Sequence, residues 1–282
     1  MSLEIDNFPV ARNAGSREFV DGVYIVQECN PKNSLKDQYS RDTPRWYISG
    51  NEVHMQQNAY VVVGSEKTLL WDTCSPANRE GLLSELDDIL GNRNLDYVMP
   101  SHPEAPHAGN SFAVLDRYPE AKFIVPDYET AHELYLMDEA TKVSPGDQFD
   151  LGGHVIEIVD PVFVDHKVHM WAQDLYTNTL FTVDWLGMVH MDSECLLCAD
   201  EFKKPISTHR RAEFHSRALF WIEYANPTKM GTAIDQMVHD LAPDVLAPAH
   251  GCPVRENAAE YLLEMKDMVK TISQAGKTTK AW

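Results

Sequence analysis

Basic residues are scarce in this chain. Its 282 residues hold 24 Lys and Arg against 43 Asp and Glu, a formal charge of −19. Nucleic-acid affinity rests largely on Lys and Arg displacing counterions, so this balance argues against a phosphate-backbone binder, and against an anionic membrane surface for the same reason. Cysteine is also sparse. Five thiols (Cys29, Cys74, Cys195, Cys198, Cys252), scattered and odd in number, do not make a disulfide framework. Nothing approaches the run of about 18 apolar residues that a membrane span needs. The opening MSLEIDNFPVARNAG lacks the charged-then-apolar layout of a signal peptide. Together these deficits lead us to expect a cytoplasmic protein with neither a nucleic-acid nor a membrane partner.

What is present is an ordinary globular composition, 44% hydrophobic, with no repeat or linker to divide it. We therefore expect a single domain over 1–282, with an irregular N-terminal segment over 1–20 and a C-terminal helix over about 256–275. VYIVQ, AYVVVG and TLLWDT read as strands, and ANREGLLSELDDILG as a helix stopped by Gly91. DYVMPS and KFIVPD are further strands flanking a helix at SFAVLDRY. The middle of the chain then turns to short strand-like runs, GDQFDLGGHVIEIVDP, HKVHMWAQ and TNTLFTVD, before helical patterns return on either side of VLAPAHG. Two β-rich halves, each finished by helices, predict an α/β fold of αββα sandwich type.

Four groups of potential metal ligands fall at strand ends or in the loops that follow them, where α/β folds place their sites. They are His102-Pro-Glu104-Ala-Pro-His107, Asp165-His166-Lys-Val-His169, Asp184 closing TLFTVD, and His250 in APAHG. In an extended segment residues two apart project the same way, so His102 and Glu104 can share one metal while His107 swings toward a neighbouring position. Pro103 and Pro106 limit the freedom of the loop and reduce the ordering cost of binding.

Taken in order, these segments resemble the metallo-β-lactamase superfamily. Glu104 at the third motif position, together with QNAYVVVGSEKTLLWDT, SHPEAPHAGNSFAVLDRYPEAKFIV, TLFTVD and VLAPAHG, is similar to its flavodiiron and oxygen-binding diiron branch, which carries HxExDH where hydrolases carry HxHxDH. The resemblance implies a metallo-β-lactamase-like αββα domain with two metals. It assigns His102, Glu104 and a His near 166 to the first metal, Asp184 as bridge, and His250 to the second. His107 matches the closing His of the motif; it becomes an expected metal ligand, since Pro106 leaves a position to fill, and with Asp184 the expected catalytic pair. His166 is favoured over His169 by its distance from Asp184, with Asp165 a substitute carboxylate or a group that orients a ligand. The departure from the pattern is Pro106, which stands where that branch has an Asp and can offer neither a ligand nor a proton acceptor. With Glu104 and Asp184 as the only carboxylates, two ferrous ions would leave a more positive shell than the branch has, one that acidifies bound water more strongly.

Imidazole and carboxylate donors without thiolate suit iron, zinc or manganese, and the resemblance tips the expectation to iron. It implies a dinuclear iron oxidoreductase that binds or reduces O2 or NO. No phosphate-cradling flavin domain is recognisable, so electrons would come from a partner chain, or the protein would be a sensor rather than a reductase; an electron-transfer partner or membership of a homo- or hetero-oligomer is expected accordingly. The alternative is a metallohydrolase that uses a metal-bridging hydroxide on a small neutral ester, lactone or activated aryl ether. Cys195 and Cys198 form a CxxC with no second pair, which we read as a turn rather than a metal or redox motif. Cys252 reads as a small buried hydrophobe. The histidines outside the four groups, among them His54, His190 and His215, read as structural or solvent-facing.

Overall fold

Alternation along the strands sorts the core into two layers. In the run Ala59 to Val62, Tyr60 and Val62 enter one hydrophobic cluster while Ala59 and Val61 enter another, and Leu69 and Trp71 part from Leu70 in the same way. A sheet whose two faces are both apolar has to be covered on both sides. The computed structural model, which describes residues 12–13, 16–31 and 53–278, shows how.

The first sheet is built from β1 (Arg12–Asn13), β2 (Arg17–Val20), β3 (Val23–Pro31), β4 (Val53–Val63), β5 (Thr68–Trp71), β6 (Tyr97–Met99), β7 (Lys122–Pro126) and β8 (Thr141–Val143). The second holds β9 (Gln148–Asp150), β10 (Val155–Val159), β11 (Trp171–Asp174) and β12 (Thr179–Val183). Chain order breaks twice: β13 (Val189–Met191) returns to pair with β4 of the first sheet, and β14 (Val245–Pro248) lies parallel to β12 in the second. Strands β3, β4 and β5 are antiparallel, whereas β5 through β8 run parallel, with helices between them.

The outer face of the first sheet is covered by α1 (Arg79–Leu90) and α3 (Ser111–Arg117), through Leu82, Leu86, Leu90 and Val114. Short helices α2 (Ala105–Ala108) and α4 (Ala131–Tyr135) lie beside them in the chain. Tyr60, Trp71 and Phe181 pack ring to ring between the two sheets. α5 (Thr208–Ala218), α6 (Pro227–Leu241) and α7 (Ala258–Thr278) complete the fourth layer, and Ile234, Met237, Leu262 and Met265 join the same cluster as the inter-sheet residues. The αββα sandwich is therefore the observed fold.

Three expectations need correction. Of the N-terminal segment expected to be irregular, 12–13 and 17–20 are strand paired to β3, and the rest of 1–15 lies outside the described residues. Of HKVHMWAQ only the last three residues are strand, in β11 (Trp171–Asp174); the histidines before it lie in a loop. Strands β8 and β13 were not anticipated. The C-terminal helix begins at Ala258 and ends at Thr278. Among the described residues no helix is long and apolar enough to cross a membrane.

Candidate metal centre

Asp184 lies between two sets of donors at one edge of the sandwich. Its Oδ2 is 3.6 Å from His102 Nε2; its Oδ1 is 3.6 Å from His107 Nε2 and 3.3 Å from His250 Nε2. Each carboxylate oxygen thus faces a different set. The first comprises His102, Asp165, His169 and Asp184, and the second His107, Asp184 and His250, the donor atoms in each set lying within 4.8 Å of one another. Asp165 joins the first through Oδ2 at 3.1 Å from His102 Nε2 and Oδ1 at 3.4 Å from His169 Nδ1. The rings of His102 and His107 stack with centroids 4.9 Å apart.

Strand ends hold these groups in place. Asp184 follows β12, where Val183 takes a positive φ of 54° and Thr182 Oγ1 donates to Trp185 O at 2.8 Å, turning the chain sharply out of the sheet. Just beyond it, Leu186 N donates to His215 Nε2 while His215 Nδ1 lies 2.7 Å from Arg211 O, so the neutral ring satisfies both contacts at once. His250 follows β14. Its loop is held to the first sheet by Asn58, whose buried amide donates to Pro248 O and Gly251 O, and by the Tyr60 hydroxyl. Gly251 has a φ of 116°, and a Cβ there would meet Met188 N at 2.8 Å, so this position requires glycine.

Asp72, at the end of β5, reaches across to the second set. Its Oδ2 accepts from His107 Nδ1 at 3.0 Å, and its Oδ1 accepts from Ser101 N and Oγ. The bond fixes His107 with its proton on Nδ1 and Nε2 turned toward Asp184. His250 is set alike, Nδ1 facing the carbonyl of Gln56 at 3.4 Å. His102 differs: its Nδ1 accepts from Glu104 N at 3.1 Å, which leaves the ring proton on Nε2 facing Asp165.

Charge and burial pull against each other here. Burial by itself would lower His107, yet the carboxylates of Asp72 and Asp184 outweigh it and hold the imidazole well above its usual range. Burial would likewise raise Asp184, but His107 and His250 keep it far below the ordinary carboxylate value. Asp165 is depressed in the same manner by His102 and His169. With less carboxylate support, His250 is pushed by burial down to about 4. His107 Nε2, His169 Nε2 and Asp184 Oδ2 are buried without a hydrogen-bond partner. Buried polar atoms are nearly always paired, so orphaned donors converging on one carboxylate fit a metal centre better than a packed core.

The expected residues divide accordingly. His102, His107, Asp184 and His250 come together, but Glu104 and His166 do not enter either set. The expectation for Glu104 assumed an extended segment. Residues 101–104 are instead bent, and the bond from Glu104 N back to His102 Nδ1 cancels the two-residue alternation, leaving Glu104 exposed as the cap before α2. His166 is exposed, with Nδ1 accepting from Val168 N, whereas His169 is buried where Met170 N bonds to Ser101 O and draws the loop against β6. Asp165 replaces Glu104 as the second carboxylate, so the charge count expected from the sequence is unchanged. Pro106 falls within the first turn of α2. Asp72 was not singled out from the sequence; its place at the end of TLLWDT was the signal available.

Residues 54–177 match the model of the metallo-beta-lactamase superfamily. The chain is 26% identical over 229 residues to diflavin flavoprotein A 1 of Synechocystis, an alignment that covers 78% of this chain and 38% of that one. It is 28% identical over 124 residues to the nitric oxide reductase of Moorella thermoacetica, covering 43% and 30%. Among solved structures, rubredoxin oxygen:oxidoreductase from Desulfovibrio gigas superposes with a TM-score of 0.68 at 20% identity, over 93% of this chain and 61% of that chain. The chain thus spans well under half the length of these two curated relatives.

Proposed function

From the match of residues 54–177 to the metallo-β-lactamase superfamily model, we propose that this chain is a dinuclear non-haem iron protein that binds or reduces a small oxidant, O2 or NO, with electrons from a separate partner. The observation that carries this reading is Asp184, a buried carboxylate with one oxygen facing each donor set. His102, Asp165 and His169 would hold one ion, His107 and His250 the other, and Asp184 both. Bound iron would pass on electrons received from the partner to an oxidant. The substrate class comes from relatives named as a nitric oxide reductase and an oxygen:oxidoreductase.

The chain's own residues prepare and shield the centre. Asp72 holds His107 in the tautomer a ligand needs, and Gln56 O does so for His250. For His102 to coordinate through Nε2, its proton has to move to Nδ1 and the contact with Glu104 N has to open. The imidazoles of His102, His107, His169 and His250 are buried, which excludes bulk water from around Asp184. His169 also lines a cavity of about 180 Å3 together with Tyr128, Ile158 and Met170. Five free thiols fit a reducing, cytoplasmic setting.

One feature favours a second reading. Pro106 removes a carboxylate from the loop and Glu104 is exposed, so Asp165 and Asp184 alone offset two dications, and the more positive centre favours hydrolysis of a small neutral ester, lactone or activated aryl ether. Metal analysis followed by oxidant consumption under a chemical one-electron donor separates the two. Iron at about two per chain with consumption of O2 or NO supports the proposal; zinc with ester or ether turnover and no oxidant consumption replaces it with hydrolysis.

A further inference from the structure

Four residues that the sequence leaves far apart meet on the first sheet, away from Asp184. Cys29 on β3 pairs across from Gln56 on β4, and His54 is two residues from Gln56 on the same face. β13 then sets His190 directly opposite His54. Residues directly opposite or diagonal by two on adjacent strands lie within side-chain reach, so register alone gathers one thiol and two imidazoles. Cys195 arrives from the loop after β13.

That loop is fixed from several sides. Leu196 N donates to Gln56 Oε1 at 3.0 Å, Arg17 donates to Leu196 O, and Glu194 accepts from Met191 N while pairing with Arg210. The CxxC is thereby split: Cys198 turns to Arg17, which donates to its Sγ, while Cys195 joins the other group. Cys29 Sγ lies 3.1 Å from His190 Nε2 and 3.6 Å from His54 Nδ1; Cys195 Sγ lies 3.3 Å from His54 Nδ1 and 2.8 Å from Cys29 Sγ. Cys29 and His190 are fully buried, and His190 Nδ1 has no hydrogen-bond partner.

We propose that Cys29, His54 and Cys195, whose donor atoms lie within 4.8 Å of one another, form a second metal site with His190, whose ring, 6.4 Å from that of His54 centroid to centroid, has to turn inward to complete it; the site is a tetrahedral one for a thiophilic divalent ion, zinc above all, that serves structure rather than turnover. Zinc takes sulfur at about 2.3 Å and imidazole nitrogen at about 2.0 to 2.1 Å, which puts sulfur and nitrogen donors roughly 3.5 Å apart around a tetrahedron. The observed sulfur–nitrogen separations bracket that value. The two sulfurs would have to part by about 1 Å, a movement open to Cys195 because it alone of the four is only partly buried. Two thiolates and two neutral imidazoles leave the ion electrically balanced, with no position for a substrate. The ion would tie the β3–β4 pair to β13, and β13 begins five residues after Asp184. The site does not depend on the reading given to the dinuclear centre.

The test uses the full chain purified without chelator, as wild type and as Asp184→Asn, Cys195→Ser and His190→Ala, with circular dichroism to confirm folding. Asp184→Asn should keep one zinc per chain, and Cys195→Ser and His190→Ala should each lose it. Cobalt loaded into Asp184→Asn should give a sulfur-to-cobalt charge-transfer band in the near ultraviolet, a band that the His and Asp donors of the dinuclear centre cannot produce. Cys195→Ser is the isosteric variant, so if His190→Ala fails to fold the comparison still stands. The proposal is overturned if cobalt binds without the sulfur band. It is also overturned if anaerobically purified protein carries a Cys29–Cys195 disulfide and no zinc.

Discussion

At the scale of single residues, the most informative side chain after Asp184 is Asp72, because it touches no proposed metal position yet fixes the ring of one ligand. Removing a carboxylate that orients a ligating His typically costs 10- to 100-fold in metal affinity. Asp72→Asn should therefore weaken binding by about that factor in a chelator competition, while the fold, read by circular dichroism, persists. Within the 165–169 loop, His169→Ala should lower the metal stoichiometry and His166→Ala should not. The reverse result would return the ligand to the position first expected from sequence spacing. That spacing pointed to the 165–169 loop, but which of its histidines joins Asp165 and Asp184 was not legible. It depends on the bond from Met170 N to Ser101 O, a contact made across 69 residues of sequence. Glu104 failed for the opposite reason: a local bond from its own amide to His102 bends a segment that the two prolines made look extended.

At the scale of elements, the turn after β12 rests on α5 through His215. Burial pushes this imidazole down to about 4, and its neutral form already accepts from Leu186 N, so a proton on Nε2 would meet another N–H. Because the folded value lies below the unfolded one near 6.5, the unfolded chain takes up the proton first as pH falls. The contribution is full above about pH 6.5 and is lost progressively down to about pH 4, of the order of 3 kcal/mol in all. Chemical denaturation of the metal-free chain across that range should show this loss on top of that from His250, which burial pushes down to about 4 as well, and His215→Gln should reduce the slope without abolishing it. The loop after β14 makes a comparable demand on backbone. Gly251→Ala should cost roughly 1 to 3 kcal/mol, since alanine is strained at a φ of 116° and crowds Met188 N. A lowered melting temperature together with weakened metal binding would show that the same turn sets His250. Such elements were legible where pattern is local: the apolar spacing of α1 and the stop at Gly91, whose φ is 57°, appear where expected. β13 was not, because three residues paired to a strand far back in the chain leave no periodic signal.

At the scale of the whole molecule, two sheets bring the candidate donors after β6, β12 and β14 to one edge, and the second donor cluster arises from the register of β3, β4 and β13 together with the loop that follows β13. His102, His107, Asp184 and His250 could be read from sequence because each closes or follows a short apolar strand. The Cys29 cluster could not, since 166 residues separate its two thiols and only strand pairing brings them together. The measurement that bears most directly on the account is the metal stoichiometry of wild type against Asp184→Asn, each determined in the Cys195→Ser background so that the thiol site does not contribute. A carboxylate shared by two ions should cost both when its charge is removed, because the repulsion between the dications is no longer offset. About two metal ions per chain are expected in the parent and none at comparable concentration in the Asp184→Asn variant; an unchanged stoichiometry, or the loss of a single ion with the other bound as tightly as before, would contradict a shared carboxylate.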